Sequence, residues 1–378
     1  MSNTGNKINV GIDAKWFFSG PPSGNMVVKN LVNEMILHNH DRFNLHLFIP
    51  SKFKKQAQAL FPADVKLIGL PEIPNLLSNQ FLVPLAALRH KLKAVLFQNF
   101  ASTWPGKLHK IAYIHDVLFL DYPEYYSGTE RFYFKQMKRL ASRSDTVIAI
   151  SESEKERLLS NNVSGSSNTS VVYHGINESF KPKSFYSNSE VQALADSYGL
   201  PAKYLLFVGR VNVRKNLLNL VKALLYISNQ DIPLVIAGER NNLTDELETL
   251  IAQHNLSHRI IITGHVPEAD LQVIYACATI FCFPSYAEGF GLPPLEAMKC
   301  GVPVIVSDRT AMPEVCGDAA VYIDPDNPYD IARKIDTLLN NPDLYNDKVA
   351  KGLQRAEKFV WSRSAQQILT IIEEAGVN

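Results

Sequence analysis

Residues 279–308, TIFCFPSYAEGFGLPPLEAMKCGVPVIVSD, leave few options for the fold. A short run of branched and aromatic residues at 279–283, closed by Pro284 and Ser285, reads as a buried strand. In the loop that follows, Gly289 and Gly291 flank Phe290 and allow a close backbone approach that a Cβ would obstruct. Pro293 and Pro294 suit the opening of a helix, where a missing N–H costs nothing, and the spacing predicts that helix over residues 295–300. Gly301 stands where a left-handed cap is wanted, and residues 302–307 read as a second strand returning to the same sheet.

Glu288 and Glu296 frame this unit, the first at a strand's carboxyl end and the second in a helix's first turn. Ligands of open parallel sheets bind outside the carboxyl ends of the strands, where helix N-termini offer N–H groups to anions. Carboxylates beside an anion site repel the anion unless they bind hydroxyls. N–H donors for phosphate with acceptors for several hydroxyls suit a sugar nucleotide. An acid in a first helical turn also has a purely structural explanation, which fits Glu296 better than Glu288.

Strand and helix patterns alternate along the whole chain. Strands are expected at 8–12, 45–49, 94–97, 110–114, 146–150 and 170–173, then at 204–208, 233–237, 259–262 and 320–323 beside the two already placed. This alternation predicts the α/β class, with right-handed winding into doubly wound parallel sheets. At 378 residues the chain is too long for one ordinary core. The first domain is expected over residues 1–182 and the second over 190–360, the Ser-, Lys- and Pro-rich residues 180–188 forming the linker.

Strand, loop and helix open the first domain, with Gly20 and Gly24 in a loop that does not spell G-x-G-x-x-G; a tight turn explains these glycines as readily as a phosphate does. The strand at 110–114 delivers His115 and Asp116 to its carboxyl end. His115 is either a neutral imidazole working on a bound sugar or a histidine satisfied by Asp116 or the backbone. Arg210 and Lys215 follow the strand at 204–208, placed to hold a diphosphate or simply solvated after a turn.

Four motifs carry a family resemblance. Glu288-Gly-Phe-Gly-Leu-Pro-Pro-Leu-Glu296 resembles the E-x7-E signature of the retaining glycosyltransferases of family 4. The runs Leu205-Leu-Phe-Val-Gly-Arg210-Val-Asn-Val-Arg-Lys215-Asn, Tyr113-Ile-His115-Asp116 and Ser19-Gly-Pro-Pro-Ser-Gly24-Asn are similar to further elements of that family, in its order. The resemblance covers nearly the whole chain and implies the GT-B fold, two Rossmann-like domains facing a cleft. It places the acceptor on the first domain, with the C-terminal helix, residues 364–378, packing back onto it, and the nucleotide sugar on the second.

On that basis His115, Glu288, Arg210 and Lys215 are the expected catalytic residues. The donor is expected at Gly24, Arg210, Lys215, Val266, Glu288, Phe290, Gly291, Leu292 and Glu296. Backbone N–H groups of Phe290, Gly291 and Leu292 would take sugar and phosphate, Glu288 the sugar hydroxyls, Glu296 the ribose, and Val266 the base. The prolines beside Gly24 depart from the family's glycine-rich form. With two cations for the diphosphate and no convincing D-x-D pair in the place where a metal-dependent transferase would use one, no metal and no cofactor besides the donor are expected. His115-Asp-Val and Met312-Pro-Glu-Val-Cys-Gly-Asp-Ala-Ala resemble bacterial mannosyltransferases of surface-polysaccharide synthesis, of the lipopolysaccharide and O-antigen kind. GDP-mannose is therefore the favoured donor, and a glycan or lipid-linked glycan precursor the acceptor. A sugar-nucleotide epimerase on the same scaffold, or a nucleotide-sugar-binding protein without turnover, remains the alternative.

Charge is unevenly divided. Residues 1–180 hold 20 Lys and Arg against 14 Asp and Glu, and residues 181–378 hold 18 against 23. A basic first half suggests an acidic partner there, either anionic lipid head groups or a diphosphate-linked acceptor; nucleic acid is not expected. Residues 71–93 mix apolar and basic side chains, and a helix expected over 129–142 carries Arg131, Lys135, Lys138 and Arg139. Such a helix is either a solvated face or a membrane-surface patch. Cys277, Cys282, Cys300 and Cys316 include no C-x-x-C pair, and the sequence shows no apolar signal core at its start, so a cytoplasmic protein, peripheral at most to the membrane, is expected.

Overall fold

Runs such as Ala94-Val-Leu-Phe-Gln98 and Val304-Ile-Val-Ser307 are buried along their whole length, the environment of a parallel sheet covered by helices on both faces. The structure, a computed structural model, describes residues 7–238 and 244–375. The expected start of the first domain and end of the last helix lie partly outside these residues. Two compact units form, one ending at Gly175 and resuming at Val360, the other running Ile176–Phe359.

The first unit holds a seven-stranded sheet of β1 (Ile8–Asp13), β2 (Phe43–Pro50), β3 (Lys66–Leu70), β4 (Ala94–Gln98), β5 (His109–Ile114), β6 (Thr146–Ala149) and β7 (Thr169–Val171), in the order β3-β2-β1-β4-β5-β6-β7. All neighbours are parallel; Val10 lies opposite Leu45 on one side and Ala94 on the other. β3 was not expected. It is an edge strand with Lys66 exposed, so its apolar pattern is too short to stand out.

The second unit holds a six-stranded parallel sheet of β8 (Leu205–Val208), β9 (Leu234–Ala237), β10 (Ile260–Ile262), β11 (Ile280–Phe283), β12 (Val304–Ser307) and β13 (Ala320–Ile323), in the order β10-β9-β8-β11-β12-β13. This is the doubly wound order: the chain winds outward from β8 in one direction, then returns to β11 and winds in the other. The chain therefore leaves β8 and β11 at the point where the strand order reverses, the place where ligands of such sheets bind. In the first unit β1 and β4 make the same reversal.

Residues 180–188, expected as a linker, fall within the second unit and are mostly exposed apart from Phe180. Phe180 is 3% exposed, with its ring 5.6 Å from that of Tyr275, because a bare Phe in a Ser- and Lys-rich run gains by burial. The helix expected over 295–300 begins earlier, at Leu292–Lys299, since both prolines fit inside its first turn. Gly301 beyond it has φ +73°, the left-handed conformation that ends a helix.

The last helix, Trp361–Glu374, belongs to the first unit and packs on the helix Pro22–Leu37 through Ile368, Leu369 and Ile372, all fully buried. Arg42 pairs with Glu373, and Ser364 Oγ donates to the Tyr173 carbonyl at 2.5 Å. Where this helix starts, a Cβ on Gly175 would fall on the Trp361 backbone nitrogen and the Val360 carbonyl carbon. Backbone cannot step aside as a side-chain tip can. Gly175→Ala should therefore destabilise the protein by about 3 kcal/mol, lowering its thermal midpoint by roughly 6–12 °C. An unchanged midpoint in differential scanning calorimetry would contradict this packing.

Candidate functional site

The site in the second unit is built at the reversal between β8 and β11. Leaving β8, the chain makes a short turn, Val213–Lys215, capped by Asn212, whose Oδ1 accepts from the Lys215 N–H at 3.0 Å. Asn216 follows at φ +56° and donates through Nδ2 to the carbonyls of Pro284 and Pro325 at 3.0 and 2.7 Å. Tyr286 N–H donates to the Arg214 carbonyl at 2.9 Å. These bonds sew the loop after β8 to the loop after β11.

What they bring together is an ion cluster. Lys215 Nζ lies 2.7 Å from Glu288 Oε1, and Arg214 Nη1 lies 3.0 Å from Oε2. The Glu288 backbone N–H donates to Thr310 Oγ1 at 2.9 Å, and Lys215 Nζ stands 4.4 Å from the centre of the Phe283 ring. Burial alone would raise the Glu288 carboxyl, but the charges of Arg214 and Lys215 outweigh it and hold the group at about 2. Glu288 is thus fixed as a carboxylate, with one cation on each oxygen.

Beyond it, Phe290 is buried and meets Phe359 edge to face, so only its backbone can serve a ligand. Gly291 caps the helix Leu292–Lys299 at φ +98°, and a Cβ there would strike the Met312 side chain. Leu292 opens the helix, and Pro293 and Pro294 remove two of the N–H groups that a helix start normally offers. The amides left for an anion are those around Gly291 and Leu292.

Glu296, on the same helix, accepts from the Tyr275 hydroxyl at 2.9 Å. Burial raises its carboxyl to about 7 against the downward pull of that bond, with the Glu268 charge adding to the rise. Glu288 and Glu296 therefore sit on one loop and helix in different charge regimes. Arg210 is exposed just past β8, and the second cation at Glu288 is Arg214. Val266 is half-buried in the loop after β10, two strands from β8. A groove of about 600 Å³ lined by Ile232, Thr279, Leu338 and Tyr345 opens at the strands' other ends, away from Glu288.

In the first unit His115 stands at the carboxyl end of β5. Its backbone N–H donates to Asn99 Oδ1 at 3.0 Å, and the ring Nε2 lies 2.9 Å from Gln98 Oε1. With that oxygen as acceptor, the proton is on Nε2 and Nδ1 is left as the accepting nitrogen. Burial lowers the imidazole to about 4, the Asp13 charge only partly opposing it, so the ring is neutral near pH 7. Trp16, Tyr113 and His174 surround the ring at centroid distances of 5.4, 5.4 and 6.3 Å. Gly24 lies in the first turn of the helix Pro22–Leu37, and a Cβ there would come within 2.8 Å of the Trp16 ring. Its smallness is required by that indole.

Several polar groups here escaped the sequence reading. Asp13, Lys15 and Asn79 form a buried set: Lys15 Nζ reaches Asp13 Oδ2 at 2.8 Å and Asn79 Oδ1 at 2.5 Å. Burial lowers the Lys15 ammonium, with Asp13 resisting. Glu154, fully buried, accepts from the Val117 N–H at 2.6 Å and from Arg157 at 2.7 Å, fixing the backbone just after Asp116. Burial raises Glu154 to about 7, with Arg157 opposing. The polar residue placed at the end of β1, Asp13, was the only available signal. Among the described residues no three His, Cys, Asp or Glu side chains are grouped to hold a metal ion, and no helix is long and apolar enough to cross a membrane.

Comparison with known proteins bears on both units. Residues 24–180 match the family described as Glycosyltransferase Family 4, and residues 190–355 match Glycosyl transferases group 1. The chain is 31% identical over 258 residues to the serotype-specific mannosyltransferase WbdA of Escherichia coli, covering 66% of this chain and 32% of that protein. It is 37% identical over 169 residues to the O-antigen chain mannosyltransferase B of Escherichia coli, covering 44% of each. The chain thus spans about a third of the first relative's length and under half of the second's. Among solved structures, sucrose-phosphate synthase from Thermosynechococcus elongatus superposes with a TM-score of 0.75 at 20% identity, over 97% of this chain and 99% of that one. With two doubly wound parallel domains, family matches across both and these relatives, the chain belongs to the family 4 glycosyltransferases of GT-B fold.

Proposed function

We propose that the protein is a retaining hexosyltransferase that moves mannose from GDP-mannose to a glycan or lipid-linked glycan precursor without a metal. The observation that carries the reading is the Arg214–Glu288–Lys215 cluster beside the amides of Gly291 and Leu292. A carboxylate held ionised, fixed cations and the N–H groups of a helix start match what a nucleotide diphosphate sugar presents. The mannosyltransferase names of the relatives support the choice of sugar.

In this reading Lys215 and the exposed Arg210 hold the diphosphate and stabilise charge as it leaves. Glu288 accepts from the hexose hydroxyls, Glu296 from the ribose, and backbone near Val266 meets the base. His115, neutral, bonds the transferred hexose. The departing diphosphate takes the acceptor's proton on the face it leaves. The basic first unit faces an acidic partner, either a diphosphate-linked acceptor or an anionic membrane surface.

Purified protein incubated with individual nucleotide sugars, with and without a lipid-diphosphate glycan acceptor, tests this directly. Mannose transfer from GDP-mannose with retained anomeric configuration, read by proton NMR, is expected. An isomerised donor would instead mark an epimerase, and binding without product a donor-binding protein.

Two further outcomes follow from the charges. Lys215→Ala should weaken GDP-mannose binding at least about tenfold, the worth of a sheltered charge-assisted bond, and Arg210→Ala about threefold, since Arg210 is exposed; unchanged affinity and turnover in Arg210→Ala would remove Arg210 from the site. Glu296 accepts a ribose hydroxyl best as a carboxylate, and its folded pKa is about 7. Donor affinity should therefore rise about tenfold between pH 6 and pH 8 as the carboxyl ionises, and Glu296→Gln should flatten that rise in isothermal titration calorimetry. A pH-independent affinity in the unmodified protein would contradict this role.

A further inference from the structure

Residues 75–89 run as consecutive helical turns, Asn75–Leu77, a π-type stretch Ser78–Leu82, and Val83–Arg89. Their inner face is ordinary, with Val83 and Ala87 buried in the core of the first unit. Their outer face is not. Leu77, Phe81, Leu85 and Leu88, at steps of four, four and three residues, are 45, 55, 56 and 54% exposed. A helix on a water-facing surface presents polar residues there; this one presents a continuous apolar stripe.

The helix Gly128–Ala141 lies beside it: Leu76 and Tyr133 pack against the same core, where the Tyr133 ring meets Phe100 at 5.1 Å. Its exposed row is Arg131, Lys135 and Arg139, each four residues apart, with Phe132 74% exposed among them. Of the acids leading into this helix, Asp121 is paired with Arg157 and Glu130 closes the Ser127 cap, so the cations outweigh the remaining Glu124. No acid occurs from Ile73 to His115, while Arg89, Lys91, Lys93, Lys107 and Lys110 do.

We infer that the stripe of residues 75–89 and the basic row of the helix Gly128–Ala141 form one docking face for an anionic lipid bilayer, which extends the proposed function by fixing where the membrane surface is met. An apolar row beside a cationic row is the pattern of an interfacial helix, the apolar side chains entering the headgroup boundary and the cations meeting lipid phosphates. A second copy fits less well. A two-fold contact over this face would set its cations against one another, with too few acids on the face to answer them.

The test is sedimentation of the full chain with phosphatidylcholine vesicles with and without phosphatidylglycerol. Binding is expected only with the anionic lipid, and should weaken as salt rises. Phe81→Glu with Leu85→Glu should abolish it, and Lys135→Ala with Arg139→Ala should weaken it about fivefold per cation removed. All four positions are exposed, so circular dichroism and GDP-mannose affinity should be unchanged. Vesicle binding is read without turnover, so it can fail or succeed independently of the transfer reaction. Absence of binding by the unmodified protein, equal binding by the variants, or a dimer in analytical ultracentrifugation that Phe81→Glu with Leu85→Glu disperses, would each overturn the assignment.

Discussion

The second unit depends on the burial of one carboxylate. Glu288 is withdrawn from water, a state that costs several kcal/mol for an unpaired ion, and two cations from a loop 73 residues earlier in the chain hold it charged. That pairing fixes the loop after β11 against the loop after β8, and the bonds from Asn216 and Tyr286 complete the seam. The strand order places both loops at the reversal of the sheet, so the cluster follows from topology as much as from residue choice. Remove the carboxylate and two half-buried cations lose the anion they share; remove a cation and the carboxylate drifts toward its neutral form.

The two glutamates of the motif are chemically alike and electrically unlike. Glu288, between cations, remains ionised at any physiological pH, whereas Glu296, buried against a tyrosine hydroxyl with the Glu268 charge nearby, is balanced between its forms. The first unit draws the same contrast with different groups. His115 is kept neutral by burial, while Asp13 and Lys15 remain in contact in the same sheet's reversal. Environment rather than residue type sets each group's charge.

The fold was legible from sequence because both sheets are buried on both faces and their strands read as unbroken apolar runs. Twelve of the thirteen strands stand out that way; β3, at an edge with Lys66 in water, does not. Site loops were legible where glycine, proline or a paired acid forced them, as at Glu288 and Gly291. Arg214 was harder to single out, since Val213-Arg-Lys215 offers two adjacent cations and only the cap at Asn212 decides that both face Glu288. Lys15, Asn79 and Glu154 were hidden for a related reason: Lys15 and Asn79 meet across 64 residues and Glu154 meets the Val117 N–H across 37, and a lone polar residue in an apolar segment does not announce what it touches. Within the residues expected as a linker, composition speaks for solvent and most of them are exposed, while Phe180 alone is buried.

Gly24 and Trp16 make a lock whose two parts cannot be altered separately. The indole occupies the space that any side chain at position 24 would need, and Asn25 holds the turn in place by donating to the Trp16 and Phe17 carbonyls. A larger residue at 24 becomes tolerable only once the indole is cut down, and the histidine it flanks would then lose a wall. Drift at this corner is therefore epistatic: homologues that carry a different residue at one position should carry a compensating change at the other.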